Sequence, residues 1–338
     1  MPRRATIYDI ARLAEVSPGA VSSVLNGTWA KRRISRMTAD RVNRIAAEQG
    51  YAVNFQASML RRERSHVIGM IVPKYDNRYF GAIAERFETM ARARGLFPVI
   101  TCTRRDPDLE FEAAREMVSY QAECLVVTGA TDPDRIAALC HAAGVRAINL
   151  DLPGRLAPSV LSDNFDGALR LTRLLVRRTE ADFGAPVPLW FVGGRVGDNN
   201  TTERLRGFHA ALAEAGRSAE PSHIVTPGYS SAPVAAELGR AAPAAPLGIF
   251  ANSTIAVEGV MRVVAGLPDP AGVRMACFDW DPFAALLPQM IAMARQDVEG
   301  MLARLFALID GEECPAAART EIPCILELAP RPSGRAAG

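Results

Sequence analysis

No run of eighteen or more apolar residues occurs in this 338-residue chain, so no segment reads as a membrane-spanning helix. Paired cysteines are missing as well. The six present (Cys102, Cys124, Cys140, Cys277, Cys314 and Cys324) show no CxxC spacing. Most sit beside apolar residues, which predicts buried free thiols in a reducing compartment. The four histidines are scattered and make no metal-ligand pair, so zinc is not expected. Gly193-Gly194 lacks the GxGxxG spacing and reads as a strand-to-loop turn, not a dinucleotide site. No nucleophile elbow, metal cluster or phosphate loop appears, which argues against an enzyme and against a bound cofactor. The basic N-terminus MPRRATIYDIARLAEV has its apolar residues broken by Asp9, Arg12 and Glu15, so it does not read as a secretion signal. The expected location is cytoplasmic.

What is present is unevenly placed. The formal net charge is only +2, yet residues 1–64 hold 12 Lys and Arg against 5 Asp and Glu, a net of +7. The remainder holds 27 against 32, a net of −5. A small basic head on an acidic body is the footprint of a nucleic-acid-binding module joined to something else.

The head is patterned. In TIYDIARLAEV, Thr6 is the expected cap of a short helix with Ile7, Ile10, Ala11 and Ala14 along one face. After a tight turn, Ser17 caps a second helix whose first residue is Pro18, a position where a missing N–H costs nothing. Ala20, Val21, Val24 and Leu25 form its inward face, and Asn26-Gly27 stops it. Two helices joined this way make a helix-turn-helix. The loop TWAKRR follows. Ser35 then caps a third helix, with Met37, Val42, Ile45 and Ala46 expected on its core side. VNFQASMLRRERS reads as a helix or a linker.

From His66 the texture changes to alternating strand and helix patterns with continuous apolar strands, such as HVIGMIVP, ECLVVTG, PLWFVGG and VRMACFDW. Such strands belong to parallel sheets covered by helices on both faces. The pattern runs in two series. The expected fold is therefore an α/β body of two doubly wound parallel-sheet lobes preceded by an all-α helix-turn-helix head. A ligand would sit between the lobes, at the carboxyl ends of the strands. The expected division is 1–53 head, 54–65 hinge or linker, 66–330 body and 331–338 disordered tail.

TIYDIARLAEVSPGAVSSVLNG, RISRMTADRVNRIAAEQGYAVN and SHVIGMIVPKYDNRYFGAIAERFETMARARG together resemble the lactose/galactose repressor family of bacterial transcription regulators. The resemblance runs to about Pro323. It is most similar to the fructose repressor (catabolite repressor/activator) branch, whose basic loop after the second helix is also lengthened. The resemblance implies a periplasmic-binding-protein-like body and a homodimer formed through it. It implies palindromic operator DNA as one partner and a sugar or sugar phosphate effector as another. The implied activity is that of a repressor whose DNA affinity the effector controls.

The family's base-contacting positions fall here on Pro18, Gly19 and Ser23, with Ala20 where a threonine is usual. None can make a bidentate base contact. Ser22 and Ser23 can meet phosphate or base edges, and Ala20 can meet a thymine methyl. Thr6, Ser17, Asn26 and Ser35 complete the candidate DNA face. Lys31, Arg32 and Arg33 are either phosphate contacts or a solvated charge run. In the expected hinge, Ala57 and Leu60 fall where the family places its hinge helix and minor-groove leucine, and Asn54 is a further candidate DNA contact; an ordinary linker is the alternative. Sequence preference then leans on the basic loop, on Leu60 and on DNA deformability between half-sites.

In the body, Tyr79 and Phe80 fall where the family stacks an aromatic on the effector, or they pack the core. Asn252 and Asp279 end two strands and suit sugar hydroxyls. Gln296 is either a ligand or part of the hinge. Arg195 and Arg204 either hold a phosphate, for which a guanidinium is well shaped, or are surface charge.

Overall fold

A computed structural model describes residues 5–51 and 65–330. Asn54, Ala57, Leu60 and the tail 331–338 lie outside the described residues. The chain separates into two compact units, Met1–Ser65 and His66–Gly338.

The first unit holds α1 (Ile7–Leu13), α2 (Pro18–Leu25) and α3 (Arg36–Glu48). Thr6 and Asp9 form a reciprocal capping box that starts α1. Ser17 caps α2 by accepting the Ala20 N–H at 3.2 Å, and Gly27 closes that helix in the left-handed region at φ 71°. Ser35 caps α3. Ile10, Ala11, Ala14, Val21, Val24, Ala39, Val42, Ile45 and Ala46 make one small core. Met37 does not join it and is 81% exposed. The inward face of α3 is set by Ala39, Val42 and Ala46. Met37 lies two residues from Ala39, about 200° around the helix, and so points away.

The second unit contains two sheets. In lobe 1, β1 (Val67–Val72), β2 (Phe97–Cys102), β3 (Cys124–Thr128), β4 (Arg146–Leu150), β5 (Ser159–Ser162) and β13 (Arg319–Ile322) lie in the order 13-5-4-3-1-2. In lobe 2, β6 (Leu189–Val192), β8 (Ile224–Val225), β10 (Leu247–Ala251), β11 (Val273–Phe278), β12 (Met290–Arg295) and β14 (Ile325–Leu328) lie in the order 14-12-11-10-6-8. All pairs are parallel except β12 with β14. Lobe 1 packs α4 (Arg78–Ala93), α5 (Pro107–Ser119), α6 (Pro133–Ala142) and α11 (Val298–Ile309) around its sheet. Lobe 2 packs α7 (Asn164–Phe183), α8 (Asn199–Glu214), α9 (Ser231–Ala241) and α10 (Thr254–Val264). A ribbon of β7 (Gly194–Arg195) with β9 (Pro227–Gly228) sits beside it.

The central strands are buried along their whole length, as their unbroken apolar sequence requires. Sequence patterning does not reveal β13 and β14, whose four residues mix charged and apolar side chains. The chain crosses between lobes after β5, after β12 and between β13 and β14. The two strand orders superpose position by position, so β4 of lobe 1 and β11 of lobe 2 are equivalent. The residue after each strand matters most for the cleft.

Candidate functional site: an interlobe cleft and an exposed reading helix

Asp151 follows β4 and Asp279 follows β11. Both are in the left-handed region, at φ 73° and 72°. This conformation is uncommon for a side-chain-bearing residue and tends to mark functional sites. Both carboxylates are nearly buried, with 3% and 8% exposure. Asp151 accepts from the Tyr79 hydroxyl at 3.1 Å and from Asn200 Nδ2 at 3.0 Å. Asp279 accepts from Gln296 Nε2, and Ser162 donates to Gln296 Oε1 at 2.6 Å. Burial pushes the Asp151 carboxyl up to about 6, although Arg105 and Arg204 pull the other way. Burial likewise raises Asp279 against the pull of Arg204.

Arg204, from α8, lies beneath the cleft and is 3% exposed. Its Nε donates to Asn164 Oδ1 at 2.7 Å and its Nη1 to the Asn252 carbonyl at 2.7 Å. Its guanidinium also stacks over the Phe278 ring at 3.7 Å. Asn164 Nδ2 donates to Asn200 Oδ1 at 3.1 Å. A continuous polar chain, Arg204–Asn164–Asn200–Asp151, therefore runs from lobe 2 into lobe 1. Burial disfavours the arginine charge, but Asp279, Tyr229 and Asp151 outweigh it and hold the guanidinium protonated.

Lys74, Arg105, Arg204, Asp151, Asp279, Asn77, Asn200, Tyr79, Phe80, Tyr229, Ser253, Ile255 and Gln296 enclose a cavity of about 60 Å³. The lobes also touch across it. Arg78 of lobe 1 pairs with Asp281 of lobe 2 at 2.5 Å. Asp198, the buried N-cap of α8, adds a third carboxylate near Asp151. The lining itself thus sets three cations, Lys74, Arg105 and Arg204, against two carboxylates, Asp151 and Asp279.

Of the body residues singled out from sequence, Tyr79, Phe80, Arg204, Asp279 and Gln296 line this cleft. Arg195 is outside the lining. It sits on the β7–β9 ribbon, where its backbone N–H donates to Thr201 Oγ1 at 3.1 Å. Asn252 is wholly buried and turns its side chain toward Thr201. The Gly193-Gly194 bend packs against it so closely that an added Cβ on Gly194 would strike its Nδ2. Its contribution to the cleft is the carbonyl that holds Arg204. Asp151, Asn200, Arg105 and Tyr229 escape sequence reading. One signal existed for Asp151: INLD ends β4 as ACFD ends β11.

In the head, the polar groups of α2 largely satisfy one another. Ser23 Oγ donates back to the Gly19 carbonyl at 2.9 Å. Asn26 Nδ2 donates to the Ser22 carbonyl at 2.8 Å and to Ser22 Oγ at 3.3 Å. The Thr6 hydroxyl donates to Asp9 at 2.7 Å. Gly19 and Asn26 are exposed, and Pro18, Ala20, Ser22 and Ser23 half-buried. Lys31, Arg32 and Arg33 are fully on the surface. Tyr8, which sequence reading passed over, is 71% exposed on α1.

Residues 6–54 match the family described as bacterial regulatory proteins, lacI family. Residues 65–261 match periplasmic binding proteins and the sugar binding domain of that family. The ribitol operon repressor of Klebsiella aerogenes is 61% identical over 193 residues, 57% of this chain and 72% of that protein. The catabolite repressor/activator of Escherichia coli K12 is 32% identical over 126 residues, 37% of this chain and 38% of that one. Identity is thus higher, and over a longer stretch, to the ribitol regulator than to this member of the fructose branch. The structure of a Lac repressor dimer bound to operator and an anti-inducer superposes with a TM-score of 0.77, at 21% identity, over 97% of this chain and 99% of that one. Among the described residues no helix is long and apolar enough to cross a membrane.

Proposed function

The chain belongs to the lacI family of bacterial regulatory proteins, and from that membership we propose a repressor whose hold on operator DNA is set by a neutral polyhydroxylated metabolite bound between its lobes. The carrying observation is the pair of buried carboxylates, Asp151 and Asp279, at equivalent strand ends of the two lobes. Carboxylates accept from hydroxyl groups, while Arg204, Asn200 and Gln296 supply donors beside them. Both lobes then hold one ligand, which couples occupancy to the angle between them.

The two buried carboxylates favour a neutral effector over an anionic one. Arg204 is already matched by carboxylates, and Arg195 is off the cleft. A phosphate would be left with Lys74 and Arg105 to meet it, beside two buried carboxylates that repel it. A relative named for the ribitol operon agrees with an acyclic polyol. Calorimetry with ribitol, other pentitols and their phosphates tests this reading, paired with gel shifts on the chain's own upstream DNA. Tighter binding of the phosphates overturns the neutral ligand. No DNA retardation under any ligand overturns the regulator.

On the DNA side, the exposed edge of α2 enters the major groove, with Ala20 offering a methyl contact and Ser22 and Ser23 accepting or donating sparingly. Lys31, Arg32 and Arg33 bind phosphates. Leu60 supplies the minor-groove wedge of a homodimer on a palindromic site, with Asn54 and Ala57 as further DNA contacts. The protein acts in the cytoplasm and performs no catalysis.

A further inference from the structure

The loop after β2 passes through two consecutive left-handed residues, Arg104 at φ 55° and Arg105 at φ 58°. Neither is glycine, so the surroundings must hold them there. Thr131 Oγ1 donates to the Arg105 carbonyl at 3.3 Å. Glu110, 1% exposed, accepts the Thr131 backbone N–H at 2.9 Å. Asp106 accepts the Asp108 N–H at 2.9 Å and so anchors the far side of the loop at the start of α5.

This bend aims Arg105 into the cleft. Its Nη1 donates to the Gly129 carbonyl at 3.2 Å. Gly129 is itself left-handed, at φ 57°, and a Cβ there would crowd Asp151 and Phe80. The guanidinium carbon lies 5.8 Å from the Phe80 ring centre on its own lobe. It lies 5.1 Å from the Tyr229 ring centre on the opposite lobe. Tyr229 is steadied by its hydroxyl, 3.1 Å from Thr201 Oγ1. Both distances are within the range of a cation–π attraction, which strengthens when water is excluded. Arg78 also reaches lobe 2, pairing with Asp281 and lying 5.8 Å from the Phe283 ring centre, but its side chain is 57% exposed and the pair is screened accordingly.

We propose that Arg105 is a positioning residue that clasps lobe 1 to lobe 2 through the Tyr229 ring and thereby sets how slowly a cleft ligand leaves. The second clause rests on the ligand reading above; the clasp itself does not. Hydrogen exchange of the full-length protein therefore comes first. Arg105→Met speeds backbone exchange at least threefold in residues 226–231, on the opposite lobe. Tyr229→Leu does the same in residues 103–106. The double variant exchanges no faster than the faster single one, because both break one contact. Arg105→Lys, which keeps a cation over the ring, stays within twofold of the parent. Changes confined to the substituted residue's own lobe, or additive in the double variant, overturn the clasp. With ribitol as probe, Arg105→Met shortens residence about tenfold. Unchanged residence overturns the coupling to ligand release. A parent protein that binds no ribitol rejects that ligand, and the exchange result still decides the clasp.

Discussion

The head and the cleft solve recognition with opposite distributions of charge. On the head, Lys31, Arg32 and Arg33 stand in solvent beside a helix whose own polar groups are spent on its backbone and on each other. In the cleft, Arg204, Asp151 and Asp279 are almost wholly buried and matched to one another. Exposed charge attracts DNA at long range, is screened by salt and tolerates loss. Buried charge is costly to place, insensitive to salt and intolerant of losing a partner. One region trades precision for reach; the other does the reverse.

The largest expected effect tests the cleft. Arg204→Met leaves Asp279 without its cation, leaves Asp151 with Arg105 alone, and removes two hydrogen bonds. The body should lose on the order of 3 kcal/mol in urea unfolding, because two buried acceptors and a buried carboxylate lose the group that compensates them. A loss below 1 kcal/mol would show that the cleft charges are not buried in solution.

Next is Asp151→Asn. The Asp151 carboxyl is raised to about 6 in the fold, against roughly 3.9 in an unfolded chain. The folded state therefore binds more protons between those values. Stability from this group is greatest below about pH 4 and falls as pH rises to about 6. The shift corresponds to roughly 3 kcal/mol at neutral pH. Asp151→Asn should abolish this dependence and leave the body as stable as the parent, or more so, at pH 7. Ligand affinity should nevertheless drop tenfold or more. In the parent, affinity for a neutral polyol should rise from pH 5 to 7 as the carboxylate forms. Urea midpoints and calorimetry across that pH range check both halves. Equal slopes in parent and variant would remove Asp151 from the account.

The head gives smaller, salt-dependent effects. Replacing Lys31, Arg32 and Arg33 by Ala should reduce the slope of log affinity against log salt by up to about 5.4 units for the homodimer, about 0.9 for each of its six phosphate contacts. Affinity should fall about equally on specific and unrelated DNA. An unchanged slope would mean that these cations do not touch phosphate. Smallest is Ser17→Ala, which removes the cap of α2. It should lower head stability by about 1 kcal/mol in thermal melts and leave effector binding untouched.

The head was largely readable because its determinants are local. Thr6, Ser17, Ser35 and Gly27 act within a few residues of themselves, and all four do in the structure what their positions in sequence predict. Met37 misled because a single apolar residue at a helix start carries no phase. In the body, the alternation of apolar strands and helices announced two parallel-sheet lobes. It did not announce β13 and β14, too short and mixed to show a period. Nor did it rank the polar residues at strand ends. Asn252 and Asp279 look alike in sequence, yet one is sealed under the floor and the other faces the cavity.

By itself the sequence determined the helices, the long buried strands, the caps of the head, the basic head and the two-lobed body, because helix phase, strand burial and capping are settled by neighbours along the chain. Only the tertiary structure decided the cleft. Arg204, Asn164, Asn200 and Asp151 meet from separate elements of two lobes, and Arg105 finds Tyr229 from the other side of the gap. Which polar group ends up facing solvent, ligand or core depends on packing between distant segments, and no local period encodes that.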